Sequence, residues 1–208
     1  MKIGILGGTF DPLHNGHLEI AEQAMYKLGL SKVLFIPAGE PPSKERSDIS
    51  SAEHRVKMVY RAVQDRHGLD LSRIELERPG PSYTVDTLNT LRSQLEPRDE
   101  LYFIIGWDSL IELPEWKKPA EVIKICKLVA FPRSGLARPD LKELENRIPG
   151  ISRRVIMMET APVDISSSEI RRKVAQGLSI KGLVPVSVLQ YIKDNGLYKA
   201  DTAAAGNK

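Results

Sequence analysis

Ile3-Gly4-Ile5-Leu6-Gly7-Gly8-Thr9-Phe10-Asp11-Pro12-Leu13-His14-Asn15-Gly16-His17 opens the chain. The apolar start reads as a buried strand, the paired glycines as a turn, and His14 onward as the start of a helix. Beyond it Leu18, Ala21, Met25 and Leu28 fall three to four apart, and Gly29 closes the pattern. A strand that turns through glycines into a helix gathers backbone N–H groups at the positive end of a helix dipole. Such a point favours phosphate. His14 and His17 add two imidazoles, for which three readings stand: capping of the helix start, metal ligation, and N–H donation to phosphate. Metal ligation needs further ligands, and Cys126, His54 and His67 carry no supporting spacing. The phosphate reading gains from Gly7, Gly8 and Gly16, which remove side-chain bulk where a ligand approaches.

The rest of the chain alternates strand and helix. Strands are expected at 2–6, 32–36, 71–76, 101–105, 127–131 and 154–158. The stretch 37–50, rich in proline and charge, reads as a loop. Ser51 caps a helix whose apolar side includes Val56, Val59 and Val63, and Thr84 caps another through Val85, Leu88, Leu91 and Leu95. Short helices follow Pro119 and the loop 133–140, and the last helices span 166–175 and 185–194. This order predicts an α/β fold: one domain over 1–199, a mostly parallel sheet with helices on both faces, and a disordered tail at 200–208. Ligands of such sheets bind beyond the carboxyl ends of the strands, where the strand order reverses.

Composition narrows the class. With 208 residues, 41% hydrophobic and 27% charged, the chain suits a soluble globular protein. A net charge of +3 with interleaved signs fits anionic small molecules and makes no case for nucleic acid. Cys126 is the only cysteine, so neither an internal disulfide nor a thiolate cluster is available and a reduced, cytoplasmic setting is expected. No apolar stretch is long enough to span a membrane and no signal-peptide layout precedes the first strand.

A second phosphate candidate is Ile165-Ser166-Ser167-Ser168-Glu169-Ile170-Arg171. Three hydroxyls open a helix, and Arg171, about one turn on, shares a side with Ser167 or Ser168. Alone it reads as an ordinary capped helix with a solvated basic run. Beside the first string it reads as a second set of phosphate donors.

With both strings in hand, the chain resembles the bacterial nicotinate mononucleotide adenylyltransferases, of the HxGH nucleotidyltransferase superfamily with its Rossmann-like fold. The resemblance is carried by 7–17, Pro41-Pro42 with Lys44, His54-Arg55 with Met58, Gly80-Pro81-Ser82-Tyr83-Thr84, Gly106 with Asp108, Trp116, 165–171, and Tyr191-Ile192 followed by Gly196-Leu197-Tyr198. It implies that ATP and nicotinate mononucleotide give nicotinate adenine dinucleotide and pyrophosphate, with magnesium held mainly by ATP phosphates and no metal site on the protein.

The resemblance also implies residue roles. His14, His17 and Arg171 would be catalytic. Gly7, Gly8, Thr9, Phe10, Gly106, Asp108, Ile165, Ser167 and Ser168 would join them in binding ATP. Lys44, Tyr83, Thr84, Trp116 and Arg133 would bind the mononucleotide, with Trp116 stacked on the pyridinium and amides near Tyr83-Thr84 on its carboxylate. Trp116, Asp108, Tyr83 and the pair Arg55 and Met58 also have plain structural readings, as core, cap, packing or a surface ion pair. Two positions depart from the family pattern: Ser43 replaces a histidine, and Trp107 replaces a smaller residue. Either bears on the choice between nicotinate and nicotinamide nucleotides.

Rival readings are a related transferase with a nicotinamide, phosphopantetheine or glycerol phosphate acceptor, and a non-catalytic nucleotide-binding regulator. A class I aminoacyl-tRNA synthetase shares the histidine signature, but the chain has no Lys-Met-Ser-Lys-Ser string. A homo-oligomer is compatible with all of these.

Overall fold

The computed structural model describes residues 1–40 and 49–200. Six strands form one parallel sheet: β1 (Lys2–Gly8), β2 (Lys32–Pro37), β3 (Leu69–Leu71), β4 (Glu100–Gly106), β5 (Lys127–Phe131) and β6 (Val155–Met157). Their order is β3-β2-β1-β4-β5-β6. The order therefore reverses between β1 and β4, which pair from Lys2↔Glu100 to Leu6↔Ile104. Beyond those strand ends the chain departs to opposite faces and leaves a crevice.

Alternation along the strands sorts side chains into two cores. Leu6, Phe35, Tyr102, Ile104, Val129 and Phe131 face one side. There they meet α1 (Asn15–Leu28), α2 (Ala52–Val63), α7 (Ser167–Ala175) and α8 (Val186–Asp194). Ile3, Ile5, Leu101, Phe103, Ile105 and Leu128 face the other. That side is covered by α3 (Thr84–Ser93), α4 (Trp107–Glu112), α5 (Pro119–Ile125) and α6 (Leu141–Arg147). The expected parallel sheet with two helical layers is thus the observed architecture. No helix among the described residues is long and apolar enough to cross a membrane.

Local signals account for several boundaries. Gly29 takes a left-handed conformation (φ 61°) and its N–H bonds to the Met25 carbonyl, ending α1. The Ser51 hydroxyl accepts from the His54 N–H and caps α2, and Ser166 accepts from Glu169 N–H to cap α7. Thr84 does not cap α3; the cap position is Tyr83, without a side-chain bond, and Thr84 is the first helical residue.

The third strand also differs from expectation. It spans Leu69–Leu71 rather than 71–76. Beyond it the Ser72 N–H still reaches Phe35, but the amides of Leu76 and Glu77 both turn back to the Arg73 carbonyl. The Ile74/Leu76 alternation imitates a strand. The turn instead packs Ile74 on the second core and buries Glu75, which accepts from the Thr87 hydroxyl at 2.7 Å. The expected tail falls largely on 201–208, outside the described residues.

Replacing Ser51 with Ala removes the α2 cap, and urea denaturation is expected to show a loss of about 1 kcal/mol. A loss near zero would mean the α2 start is held by Arg55 alone.

Candidate active site

A cleft of about 620 Å³ lies over the carboxyl ends of β1 and β4, where the strand order reverses. Its floor is Gly7, Gly8 and Thr9 after β1 and Gly106 after β4. One wall is the start of α1 with His14 and His17, joined by Ile165, Ser166, Ser167, Ser168 and Arg171 at the start of α7. Ser82, Thr84, Phe103 and Trp116 line it on the side of α3, and Asp108 and Arg133 also border it.

The two histidines stack at 3.6 Å between ring centroids, 22° apart in plane. His17 Nδ1 accepts from the His14 backbone N–H at 3.2 Å. That bond requires an unprotonated Nδ1, so the proton of neutral His17 sits on Nε2 as a donor. His14 is buried, and its Nδ1 has no partner among the described residues. Burial, reinforced by the Arg133 charge, lowers the His14 pKa to about 4. Burial, His14 and Arg133 push His17 well below its ordinary value too. Near neutral pH both rings are therefore uncharged, each with one N–H to offer an anion.

Room for this pair is made by Gly16. A Cβ there would lie 2.5 Å from Val163 Cγ1 and 3.1 Å from His14 Nδ1. Gly16 lines the cleft, as its sequence position suggested, and a side chain there would also collide with Val163 and crowd His14. Phe10 lines the cleft, yet its ring is buried and stands edge-on to His17 at 5.0 Å. It supports the imidazole from beneath.

Four donors stake the turn before His14. Arg55 Nη1 donates to the Thr9 carbonyl, Arg171 Nη1 to the Asp11 carbonyl at 2.7 Å, and Ser167 Oγ to the Pro12 carbonyl at 2.9 Å. The hydroxyl of Tyr198 reaches the Asp11 carboxylate. Arg55 is buried, which removes the surface ion-pair reading, and Met58 is fully buried in the first core. Asp11 has no role in the sequence pattern alone, although its place inside the first string, between the paired glycines and His14, is a usable signal.

Asp108 and Arg133 form an ion pair at the cleft edge. Gly106 permits this placement of Asp108, since a Cβ there would collide with Asp108 Oδ1. Arg133, expected beside the mononucleotide, borders the cleft paired with Asp108, near enough to His14 and His17 to depress both pKa values.

At the other end Ser82 Oγ accepts from the Gly39 N–H, and the Ser82 N–H bonds to Glu40. The Tyr83 amide is taken by the Pro81 carbonyl at 3.1 Å, and its ring lies under Lys117 Nζ at 4.2 Å. Of the expected Tyr83-Thr84 pair, only Thr84 therefore turns to the cleft, at the start of α3, where first-turn amides have no partner within the helix. Trp116 borders the cleft edge-on to Phe103 at 6.2 Å. Trp107 packs on the second core. Lys44 and Ser43 lie outside the described residues.

A parallel sheet with a donor-rich cleft at its switch point defines a nucleotide-binding α/β protein whose site suits phosphate. Comparison with known proteins carries this further. A family model described as cytidylyltransferase-like matches residues 5–173. A protein of Dehalococcoides mccartyi named "Probable nicotinate-nucleotide adenylyltransferase" is 47% identical over 198 residues, 95% of this chain and 97% of its own. One of the same name from Thermomicrobium roseum is 41% identical over 95% of this chain and 92% of its own. The solved Plasmodium falciparum nicotinic acid mononucleotide adenylyltransferase complexed with NaAD superposes with a TM-score of 0.75 at 18% identity. It covers 95% of this chain and 97% of that one, a likeness of fold. The chain belongs to the cytidylyltransferase-like nucleotidyltransferases and, within them, to the nicotinate-nucleotide adenylyltransferase family.

The lowered histidine pKa values have a pH signature. Between about 6.5 and about 4 the unfolded chain holds a proton on His14 that the folded chain does not. Stability therefore falls as pH drops through that window. His14→Gln should flatten the decline between pH 7 and 4.5 by about 3 kcal/mol at most. Unfolding curves of equal slope in the two proteins would refute the buried neutral ring.

Proposed function

We propose that the protein transfers the adenylyl group of ATP to nicotinate mononucleotide, releasing pyrophosphate, as a step of NAD biosynthesis in the cytoplasm. The observation that carries the reading is the pair of neutral, stacked imidazoles at the start of α1, in a cleft that the starts of α7 and α3 also line. A phosphate oxygen of the mononucleotide attacks the α-phosphorus of ATP. The bond from that phosphorus to the bridging oxygen of pyrophosphate breaks, and pyrophosphate leaves. The substrate phosphate is itself the nucleophile, so the protein contributes position and charge stabilisation.

His17 Nε2–H and the His14 N–H donate to the charge that grows on the α-phosphate oxygens. Gly7, Gly8, Thr9 and Phe10 line the phosphate and ribose path. Ser167, Ser168 and Arg171 grip the β- and γ-phosphates, and Ile165, Gly106 and Asp108 border the nucleoside. Arg133, at the cleft edge beside Asp108, adds positive charge for the mononucleotide. Three carboxylates line the cleft: Asp11, Glu75 and Asp108. Asp11 is bonded to Tyr198 and Ser50, Glu75 to Thr87, and Asp108 to Arg133. This set fits a magnesium ion held by ATP oxygens and water better than one caged by the protein. When bound, that ion neutralises the departing pyrophosphate.

For the acceptor, Lys44 offsets the mononucleotide phosphate and Trp116 stacks on the pyridinium. The free amides at the start of α3, on the side of Thr84, take the nicotinate carboxylate. A donor-only cradle disfavours nicotinamide, whose NH2 would face donors without an acceptor.

Steady-state kinetics with magnesium–ATP and each mononucleotide, products identified by mass, should show a strong preference for the nicotinate form. Equal or greater use of the amide would mean the α3 start is not the carboxylate site. Binding of ATP without pyrophosphate release would make the protein a sensor. His17→Ala is expected to keep the fold and lower kcat by about a hundredfold or more, and near-normal kcat would remove its role. Lys44→Ala should raise KM for the mononucleotide and leave that for ATP little changed. An effect confined to ATP would refute that placement.

A further inference from the structure

Asp11 is 1% exposed and carries a charge that the reaction itself does not use. Its Oδ1 accepts from the Tyr198 hydroxyl at 2.6 Å and its Oδ2 from the Ser50 N–H at 3.1 Å. Arg171 Nη1 stands 3.9 Å from Oδ2, while the same nitrogen donates to the Asp11 backbone carbonyl at 2.7 Å. The guanidinium is therefore beside the carboxylate without a close ion pair, and its side chain, 29% exposed, still borders the cleft. Arg55, the other nearby cation, is committed elsewhere: Nε to the Ser50 carbonyl and Nη1 to the Thr9 carbonyl.

Tyr198 comes from the turn that follows α8. It sits at a positive φ of 63°, packs on the first core, and places its hydroxyl 3.8 Å from Met58 Sδ. Burial and the Asp11 charge push its phenol well above the ordinary tyrosine range, so the hydroxyl stays a donor.

We propose that Tyr198 is a positioning residue for the triphosphate site: by satisfying the Asp11 carboxylate, its hydroxyl keeps Arg171 from closing onto Asp11 and leaves the guanidinium free to face the cleft. Without that hydroxyl, Oδ1 is a buried anionic acceptor that has lost its donor. Arg171 is the nearest cation with donors to supply, and a full ion pair with Asp11 draws it out of the cleft. The role given to Arg171 rests on the adenylyl-transfer reading; the geometry around Asp11 does not.

Tyr198→Phe keeps the ring and removes the oxygen. It should raise KM for ATP, and Kd for a non-hydrolysable ATP analogue measured by calorimetry without acceptor, by about tenfold. KM for the mononucleotide and the melting temperature should change little. In an Arg171→Ala background the same substitution should add nothing to the loss. A wild-type KM and Kd for the nucleotide in Tyr198→Phe overturns the proposal, as does an equal tenfold loss without Arg171. If Arg171→Ala does not fold, a crystal structure of Tyr198→Phe decides: Arg171 moved into contact with the Asp11 carboxylate supports the proposal, and an unmoved Arg171 refutes it. The analogue titration needs no turnover, so failure of the adenylyl-transfer reading would appear separately, as a wild-type protein that binds nucleotide but makes no product.

Discussion

Everything at the site hangs from the parallel pairing of β1 with β4. Five consecutive residue pairs, from Lys2↔Glu100 to Leu6↔Ile104, hold two strands whose following helices lie on opposite faces of the sheet. Both chains must leave the sheet at the same end and diverge, so a crevice opens there that no side chain of the sheet fills. The glycines at the strand ends and the starts of α1 and α7 then supply its donors. The cleft follows from topology, and the sequence decorates it.

Polar groups in so buried a place need partners, and the turn from Thr9 to Pro12 shows how they are found. Its carbonyls accept from residues 46, 160 and 155 positions away in the chain. Arg55 and Arg171 serve structure with one edge, and Arg171 borders the cleft with the rest of its side chain. A buried polar network of this kind is costly when one member is missing and rigid when all are present. The same logic holds for the imidazoles. Their burial keeps them neutral, and neutrality lets them stack and donate without repelling one another.

Ser82 and Thr84 show how adjacent residues divide the work. Ser82 ties the Gly39 amide, Thr84 opens α3 beside the cleft, and Tyr83 between them turns away to Lys117. A helix start presents only some of its residues to one side, so a three-residue signature does not act as a unit. Arg133 illustrates a different limit. Its pairing with Asp108, 25 residues away, follows from the packed chain and not from the local sequence.

The sheet, its two apolar faces, the capped starts of α2 and α7 and the two phosphate-suited strings were all legible in the chain, because periodicity and capping are local. So were His14, His17, Thr84, Trp116, the serines of α7 and Arg171 as cleft residues. The third strand was misplaced, since Ile74 and Leu76 alternate like a strand while the amides of Leu76 and Glu77 close a turn on Arg73 and Glu75 bonds to Thr87 at the start of the next helix. The local pattern around Asp11, Arg55 and Tyr198 gave no hint that they share one buried cluster, with Ser50 and Arg171 at its edge. Sequence by itself determined most of the strands and helices, the third strand excepted, and which strings have the donors that suit phosphate. Only the tertiary structure decided which charged groups neutralise one another, because a buried charge takes its partner from whatever the packed chain brings within hydrogen-bond reach, however distant in sequence.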